Sequence, residues 1–511
     1  MSSRQSRLQT IPIHPLFFAA YPILALLAFN ATELNVSNGF RSLLVSAILA
    51  LLLLLAFRWI YHDAKLGALA ASALLILFFS YGHIYNQSIG ITVFGKHPFQ
   101  HRTLIPLWVV LGILVLWGAS RRPKHISTLT YSLNLIGLIL VILPIFQLAS
   151  FLIQRNISEA NTEDASATLN LKPGSQPPDI YYIILDGYGR SDVIKQYGVD
   201  NSDFLNTLKG LGFYVADCAQ SNYAQTKMSL TSSLNFNYLD ALSDHFVPGS
   251  DDRTGMYALL QHSAVRKSLE KAGYKIVSVA SGFPMTEFND AAYFFSPKSS
   301  WTELNDFESL LVRTTLVGSV EPGTANTTTD MPNSNPELAR QRTLFVLDKL
   351  PTIASIPGPK FVFVHLVIPH PPFVFGPSGG LAAPNQPGLS SKKQIAIHYR
   401  DQAIYISSRM KEIVPKIIAN SATPPVIVIQ GDHGPTVPSE PRERMQNLNV
   451  YYLPGVDAKL YPTITPVNTF RVIFNAYFGQ NLELLDDVSL YSTYRHPFTY
   501  KVIQNSCKIN N

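Results

Sequence analysis

Apolar positions follow two regimes along the chain. Before residue 155 they form long runs, at about 13–30, 42–60, 64–83, 104–119 and 131–153, divided by short polar links. Each is close to the roughly 20 apolar residues with which a helix crosses about 30 Å of hydrocarbon. The fourth run is short and the first contains Pro22. Five such runs predict a transmembrane domain of five helices over 1–154. A cleaved signal peptide would account for only one of them, and no small-residue cleavage pattern recommends it. Residues 155–178 are Ser/Thr/Asn-rich and end in Pro177-Pro178, the composition of a linker.

From 179 to 511 the pattern changes to short runs of β-branched and aromatic residues alternating with helical spacing, which predicts an α/β domain. Strands are expected at 180–185, 212–216, 274–279, 359–366 and 425–430. Helices are expected at 202–211, 259–272, 337–350 and 393–419, and the hydroxyl-rich stretch 221–234 is expected to lead into another. The stretch 285–335 has no sustained period and reads as a surface excursion or lid.

Composition and charge adjust this picture. Hydrophobic residues make up 47% of 511, close to a soluble average, so their concentration before residue 155 is the signal. Lys and Arg in the short loops set orientation. With the N-terminus inside, the inner loops hold Arg4, Arg7, Arg58, Lys65, Arg121, Arg122 and Lys124, against Arg41, Lys96 and Arg102 outside. That balance predicts a cytoplasmic N-terminus and an extracytoplasmic C-terminal domain. The net charge of +6 comes partly from these loops, and no basic stripe with interleaved aromatics indicates a nucleic-acid partner. Cys218 and Cys507 fall in the outer region, where a disulfide is permitted; the sequence leaves their pairing open.

The chemistry gathers at strand ends. Ile180–Leu185 runs into Asp186-Gly187-Tyr188-Gly189-Arg190, the 359–366 strand into Pro369-His370-Pro371, and the 425–430 strand into Gly431-Asp432-His433-Gly434. Parallel strands bring such ends to one edge of a sheet, where open α/β folds bind ligands. Asp186, Asp432 and His433 make a donor set for a single divalent cation, Mn²⁺ or Zn²⁺, with Mg²⁺ also admitted. Adjacent Asp and His on a strand point to opposite faces, so this pair belongs in the glycine-flanked turn beyond it. His365, inside a very apolar strand, reads as a core histidine. Arg442 and Arg444 are anion contacts of low specificity.

The Asp186-Gly187 strand end, the Thr226/Ser229 segment, Pro369-His370-Pro371 and Gly431-Asp432-His433-Gly434 together resemble the alkaline-phosphatase/sulfatase superfamily. Five membrane helices in front resemble its lipoteichoic-acid synthase and phosphoethanolamine transferase branch. The resemblance implies a mainly parallel sheet covered by helices, a metal held by Asp186, Asp432 and His433, and a hydroxyl nucleophile at a helix start completing the coordination. Thr226-Lys227-Met228-Ser229-Leu230 is similar to the branch's Thr-x-x-Ser-Leu pattern, which makes Thr226 the expected nucleophile; Ser229 and Thr231 are the alternatives. His370 matches the family histidine that contacts the phosphoryl group or protonates the leaving oxygen. Lys227 and Arg190 are expected to contact substrate. The C/S-x-P-x-R signature of true sulfatases is missing.

The implied activity is transfer of a phospho-head group from a membrane phospholipid donor to an envelope glycan or lipid acceptor through a phospho-threonine. A membrane-anchored phosphodiesterase or phosphatase shares every motif and is the alternative, followed by a non-catalytic envelope assembly protein.

Overall fold

The computed structural model describes residues 11–31, 34–88, 91–92, 98–121, 124–165, 168–253, 255–298, 300, 302–320, 335–386, 389–437 and 440–507. The chain divides into two compact units, Met1–Ile153 with Ser300–Asn335, and Gln154–Ser299 with Pro336–Asn511. Of the loop cations that set orientation, Arg4, Arg7, Lys96 and Arg122 lie outside the described residues.

The first unit is a helical bundle: α1 (His14–Phe29), α2 (Phe40–Tyr61), α3 (Ala64–Ser88), α4 (His101–Ser120) and α5 (Ile126–Ala165). Among the described residues, four helices are long and apolar enough to cross a membrane: the one that includes α2, then α3, α4, and α5 as far as Gln154. The expected fifth, α1, has 16 residues and spans about 24 Å at the helical rise, short of the hydrocarbon thickness. Half of the best α3 window is buried against 11–22% for the other three, so α3 is the central helix. Leu52, Trp59, Ile113 and Phe146 point outward, a surface suited to lipid rather than water. The polar stretch read as a linker starts helical: past Pro144, inside α5, the sequence has no Gly or Pro until Pro173, beyond the helix end at Ala165.

The excursion contributes a helix to this unit, α6 (Asp306–Thr314), closed by a capping box between Asn305 and Glu308. Its apolar face, Phe307 and Leu311, joins Ala19, Ile23, Leu27 and Phe79 in one cluster. Arg41 pairs with Glu308, and Asn305 Nδ2–H donates to the Asn38 carbonyl at 3.0 Å. Gly82 lets α3 and α6 touch at the backbone: a Cβ there would overlap Arg313 and Thr314 main-chain atoms.

The second unit is built on a mixed, mainly parallel sheet of seven strands, ordered β2-β7-β6-β1-β5-β3-β4. These are β1 (Ile180–Leu185), β2 (Tyr214–Val215), β3 (Lys275–Val279), β4 (Tyr293–Phe295), β5 (Lys360–Leu366), β6 (Val426–Gln430) and β7 (Asn449–Tyr452); β8 (Leu490–Tyr491) and β9 (Lys501–Val502) form a separate pair. β7 runs antiparallel to both its neighbours, while β6, β1, β5, β3 and β4 are parallel. Every residue of β1, β5 and β6 is buried, as expected of strands covered on both faces. Tyr181, Ile183 and Leu185 pack with Tyr399, Ile406 and Leu347 on one side; Ile180, Tyr182 and Ile184 pack with Leu230, Phe470 and Phe474 on the other. The helices carrying those partners are α7 (Thr226–Leu234), α8 (Pro336–Ile353), α9 (Ser391–Asn420) and α10 (Pro466–Phe478). The helix expected over 259–272 is two, Met256–Gln261 and Ala264–Lys271, because Ser263 breaks off as an N-cap and its hydroxyl accepts the Arg266 N–H.

Cys218 and Cys507 are disulfide-bonded across a sequence separation of 289, which answers the pairing the sequence left open.

Candidate metal centre

The three central strands end side by side, and the site lies just beyond their carboxyl ends. Ile184 of β1 is in register with His365 of β5 and with Gln430 of β6. Asp186 follows β1 directly, its N–H donating to Leu366 O at 2.9 Å, while the His370 N–H donates to Asp186 O at 3.1 Å. Beyond β6 the chain enters the Gly431–Gly434 turn. Asp432 and His433 both bend there toward Asp186, as the turn argument required.

Asp186, Asp432 and His433 are all buried, and one ligand atom from each lies within 4.8 Å of the other two. His433 Nε2 is 3.7 Å from Asp186 Oδ1 and 3.3 Å from Asp432 Oδ2. The Nδ1–H of His433 donates to Gly434 O at 2.8 Å, which fixes the tautomer and leaves the Nε2 lone pair directed at the carboxylates. Burial, with the nearby Arg444 guanidinium, lowers the His433 pKa to about 4 against the pull of Asp432 and Asp186, so the ring is neutral at pH 7. Burial would raise the Asp186 carboxyl, but the imidazoles of His370, His365 and His433 outweigh it and hold that group below the usual carboxylate range.

Asp186 Oδ1, Asp432 Oδ2 and His365 Nε2 are buried without a hydrogen-bond partner. The two orphaned carboxylate oxygens have no donor, and His433 Nε2 beside them is a further acceptor, which takes the Arg444 Nη2–H at 3.0 Å. A divalent cation satisfies such a set, so the residues fit a metal.

The surroundings hold the ligands in place. The Gly187 N–H donates to Asp432 Oδ1 at 2.9 Å from a backbone at φ +71°, a conformation glycine adopts without penalty. Ser229 donates its hydroxyl to Asp432 O at 2.6 Å. A Cβ on Gly434 would overlap the Glu443 carbonyl oxygen, so the turn packs directly on the segment carrying Arg444.

Thr226 opens α7 and is half-buried, with Oγ1 3.4 Å from His433 Nε2. It is the one hydroxyl of the three candidates that reaches the cluster in this way. Ser229 is engaged with the Asp432 carbonyl, and Thr231 is fully buried with no hydrogen-bond partner for its hydroxyl. Lys227 is buried with Nζ 5.7 Å from the Phe283 ring centroid. Arg190 is also buried: it pairs with both Asp192 oxygens at 2.7 and 2.8 Å and donates to Ala219 O at 3.0 Å, bracing the loop after β1. His370 is half-buried, its Nδ1 2.6 Å from Pro371 O, which leaves Nε2 for other partners.

Two residues gain importance from the structure. His365, read as a core histidine, is buried but has Nε2 3.3 Å from Asp186 Oδ2 and Nδ1 2.9 Å from Thr286 Oγ1. The signal was its parity: it shares the α7 side of the sheet with Phe361 and Phe363. Arg444 donates from Nη2 to His433 Nε2 at 3.0 Å and from Nε to Ala224 O at 3.0 Å, whereas Arg442 is exposed.

No protein-family model and no curated protein matches the chain. Among solved structures it is similar to the C-terminal periplasmic domain of EcEptC from Escherichia coli in complex with Zn, at 14% identity over 61% of this chain and 88% of that one, with a TM-score of 0.40. It is similar to the integral membrane protein lipooligosaccharide phosphoethanolamine transferase A (EptA) from Neisseria meningitidis, at 12% identity over 92% and 94% of the two chains, with a TM-score of 0.39. A further likeness is to the phosphonate monoester hydrolase of Agrobacterium radiobacter, at 13% identity over 61% and 80%, with a TM-score of 0.39. At identities and TM-scores this low, the chemistry has to rest on the geometry of the site itself.

Proposed function

We propose that the chain is a metal-dependent membrane enzyme that moves a phospho-head group from a phospholipid to an envelope glycan or lipid acceptor, through a phospho-threonine at Thr226. One observation carries the reading: a hydroxyl at a helix start lies 3.4 Å from His433 Nε2, beside two buried carboxylates with orphaned oxygens. Asp186, Asp432 and His433 would hold the cation, Mn²⁺, Zn²⁺ or Mg²⁺. When bound, it supplies positive charge that lowers the pKa of a neighbouring hydroxyl and offsets charge on phosphoryl oxygens.

The protein's own residues do the rest. Thr226 Oγ forms the new bond to phosphorus as the bond to the lipid oxygen breaks. The threonine proton ends on the released lipid alcohol, with His370 Nε2 as its carrier. The Arg444 guanidinium and the α7 N-terminus fit the phosphoryl oxygens, and Lys227 adds charge beside the nucleophile. The acceptor hydroxyl then attacks the phospho-threonine and restores Thr226. The membrane unit tethers the enzyme to the bilayer that holds the donor, with the N-terminus on the cytoplasmic side and α1 as the fifth, shorter crossing.

Intact-mass analysis of the full chain after incubation with defined phospholipids tests this. The expected result is an adduct on Thr226 that disappears in Thr226→Ala, its mass identifying the head group. An adduct on Ser229 or Thr231, or metal-dependent turnover unchanged in Thr226→Ala, would sink the assignment. Product analysis with and without an acceptor distinguishes transfer from release to water.

A further inference from the structure

Helix α9 holds two of the loops that make the site. Tyr399 and Gln402 lie three residues apart on it, hence on one face, and both are fully buried. The Tyr399 hydroxyl donates to Gly187 O at 2.9 Å and accepts the Gly189 N–H at 3.2 Å, which ties the helix to the loop that follows Asp186. One turn on, Gln402 reaches the loop after β5. Its Oε1 accepts the Val374 N–H at 2.9 Å and the Phe375 N–H at 3.3 Å. Its Nε2 donates to Pro369 O at 3.3 Å and to His370 O at 3.1 Å.

The sequence of that loop makes it depend on such help. Pro369, Pro371 and Pro372 have no N–H to donate. The His370 N–H goes to Asp186 O, which fixes the outgoing half of the loop and leaves the returning half free. Gln402 joins the halves, Pro369–His370 on one side and Val374–Phe375 on the other. A primary amide has two acceptor lone pairs and two N–H groups, and all four are used here. Leucine fills a similar space and supplies none of them, glutamate lacks the N–H groups, and asparagine is a methylene shorter. All four bonds go to the His370 loop, and none to Asp186, Asp432, His433 or Thr226.

We infer that Gln402 is a positioning residue, which sets where the His370 ring stands relative to the loop that Tyr399 fixes from the same helix. The inference rests on the reading of His370 as the proton carrier beside Thr226. The test uses the full chain in vesicles of phosphatidylethanolamine and phosphatidylglycerol with Mn²⁺ or Zn²⁺. A misplacement of about 1 Å costs about 100-fold in rate, and a proton carrier contributes about 10²–10⁴-fold. Gln402→Leu should therefore slow formation of the Thr226 adduct by about tenfold to about 100-fold, while the metal-induced rise in Tm stays as in wild type. On a His370→Ala background the same substitution should cost less than about twofold, because the group it acts through is gone.

Losses that multiply across the two substitutions overturn the inference, as does an adduct rate unchanged in Gln402→Leu. A metal shift that falls together with the rate also overturns it, since that marks a general loosening of α9. Should Gln402→Leu not assemble, Gln402→Asn enters the same cycle under the same criteria. Placement of the ring is read without turnover as the rate at which diethyl pyrocarbonate modifies His370, with exposed His496 as the internal reference. Freeing the loop should raise that rate severalfold. A wild type that forms no Thr226 adduct sinks the phosphoryl-transfer reading, whereas an unchanged His370 rate sinks this one.

Discussion

Replacing Asp432 with Asn separates the metal role of this carboxylate from any role in folding. The amide is the same size and keeps an oxygen for the Gly187 N–H, which lies 2.9 Å from Oδ1. Its NH₂ takes the place of Oδ2, 3.3 Å from His433 Nε2, and turns an acceptor facing an acceptor into a donor facing one. The metal-free variant should therefore be at least as stable as wild type. Altering even an outer-shell partner typically costs 10–100-fold in metal affinity, so loss of a charged ligand should cost about 100-fold or more. At a metal concentration of about 100 times the wild-type Kd, binding stabilises wild type by about 2.7 kcal/mol. A variant that binds about 100-fold more weakly gains only about 0.4 kcal/mol at the same concentration. At about 2 °C per kcal/mol for a domain of this size, metal should raise the wild-type Tm by about 5 °C and the variant's by less than about 1 °C. Thermal unfolding of the detergent-solubilised chain, in EDTA and with Zn²⁺ or Mn²⁺, reads both. A full metal shift in Asp432→Asn, or a variant markedly less stable than wild type in EDTA, would refute the reasoning.

Three further outcomes follow from contacts around and away from the site. Ser229→Ala removes the hydroxyl that fixes the Asp432 carbonyl and should weaken metal binding by about tenfold or more while preserving the fold, as read by metal titration and circular dichroism. Cys507→Ser opens the cross-link to Cys218 and should lower unfolding stability by about 2–5 kcal/mol in urea, with reductant producing the same loss in wild type only. Burial would raise the Asp290 carboxyl, but the Arg266 guanidinium, paired to both its oxygens at 2.8 and 2.9 Å, holds it below its ordinary value. A folded pKa below the unfolded one gives stability that is complete above the unfolded value, about 3.9, and is lost as pH falls through the folded value. Asp290→Asn should therefore flatten the acid side of the stability profile below about pH 4.

What could be read from the sequence, and what could not, divides along a physical line. β1, β5 and β6 were legible because strands buried on both faces carry unbroken apolar runs, and each run ends in residues that no core would keep. The parallel rule then brought Asp186, His370 and the Asp432–His433 turn to one edge without further information. α6 escaped because it is nine residues long and its apolar face is matched to α1 and α3, partners remote in sequence. α1 looked like its neighbours in composition but its helix has only 16 residues, a length that apolar character alone does not report.

His365 shows where letters stop and pairing begins. Its own strand, Lys360-Phe361-Val362-Phe363-Val364-His365-Leu366, gives a buried histidine and nothing more. Its partner, Asp186, sits two positions past Ile184, the residue that register places opposite it on the neighbouring strand. Only that register turns an imidazole in an apolar run into a neighbour of the site, 3.3 Å from a carboxylate oxygen. The same holds for Arg444, whose approach to His433 depends on Gly434 packing without a side chain against the Glu443 main chain. A strand's own residues thus indicate that its end carries chemistry, while the pairing of strands determines which buried groups share it.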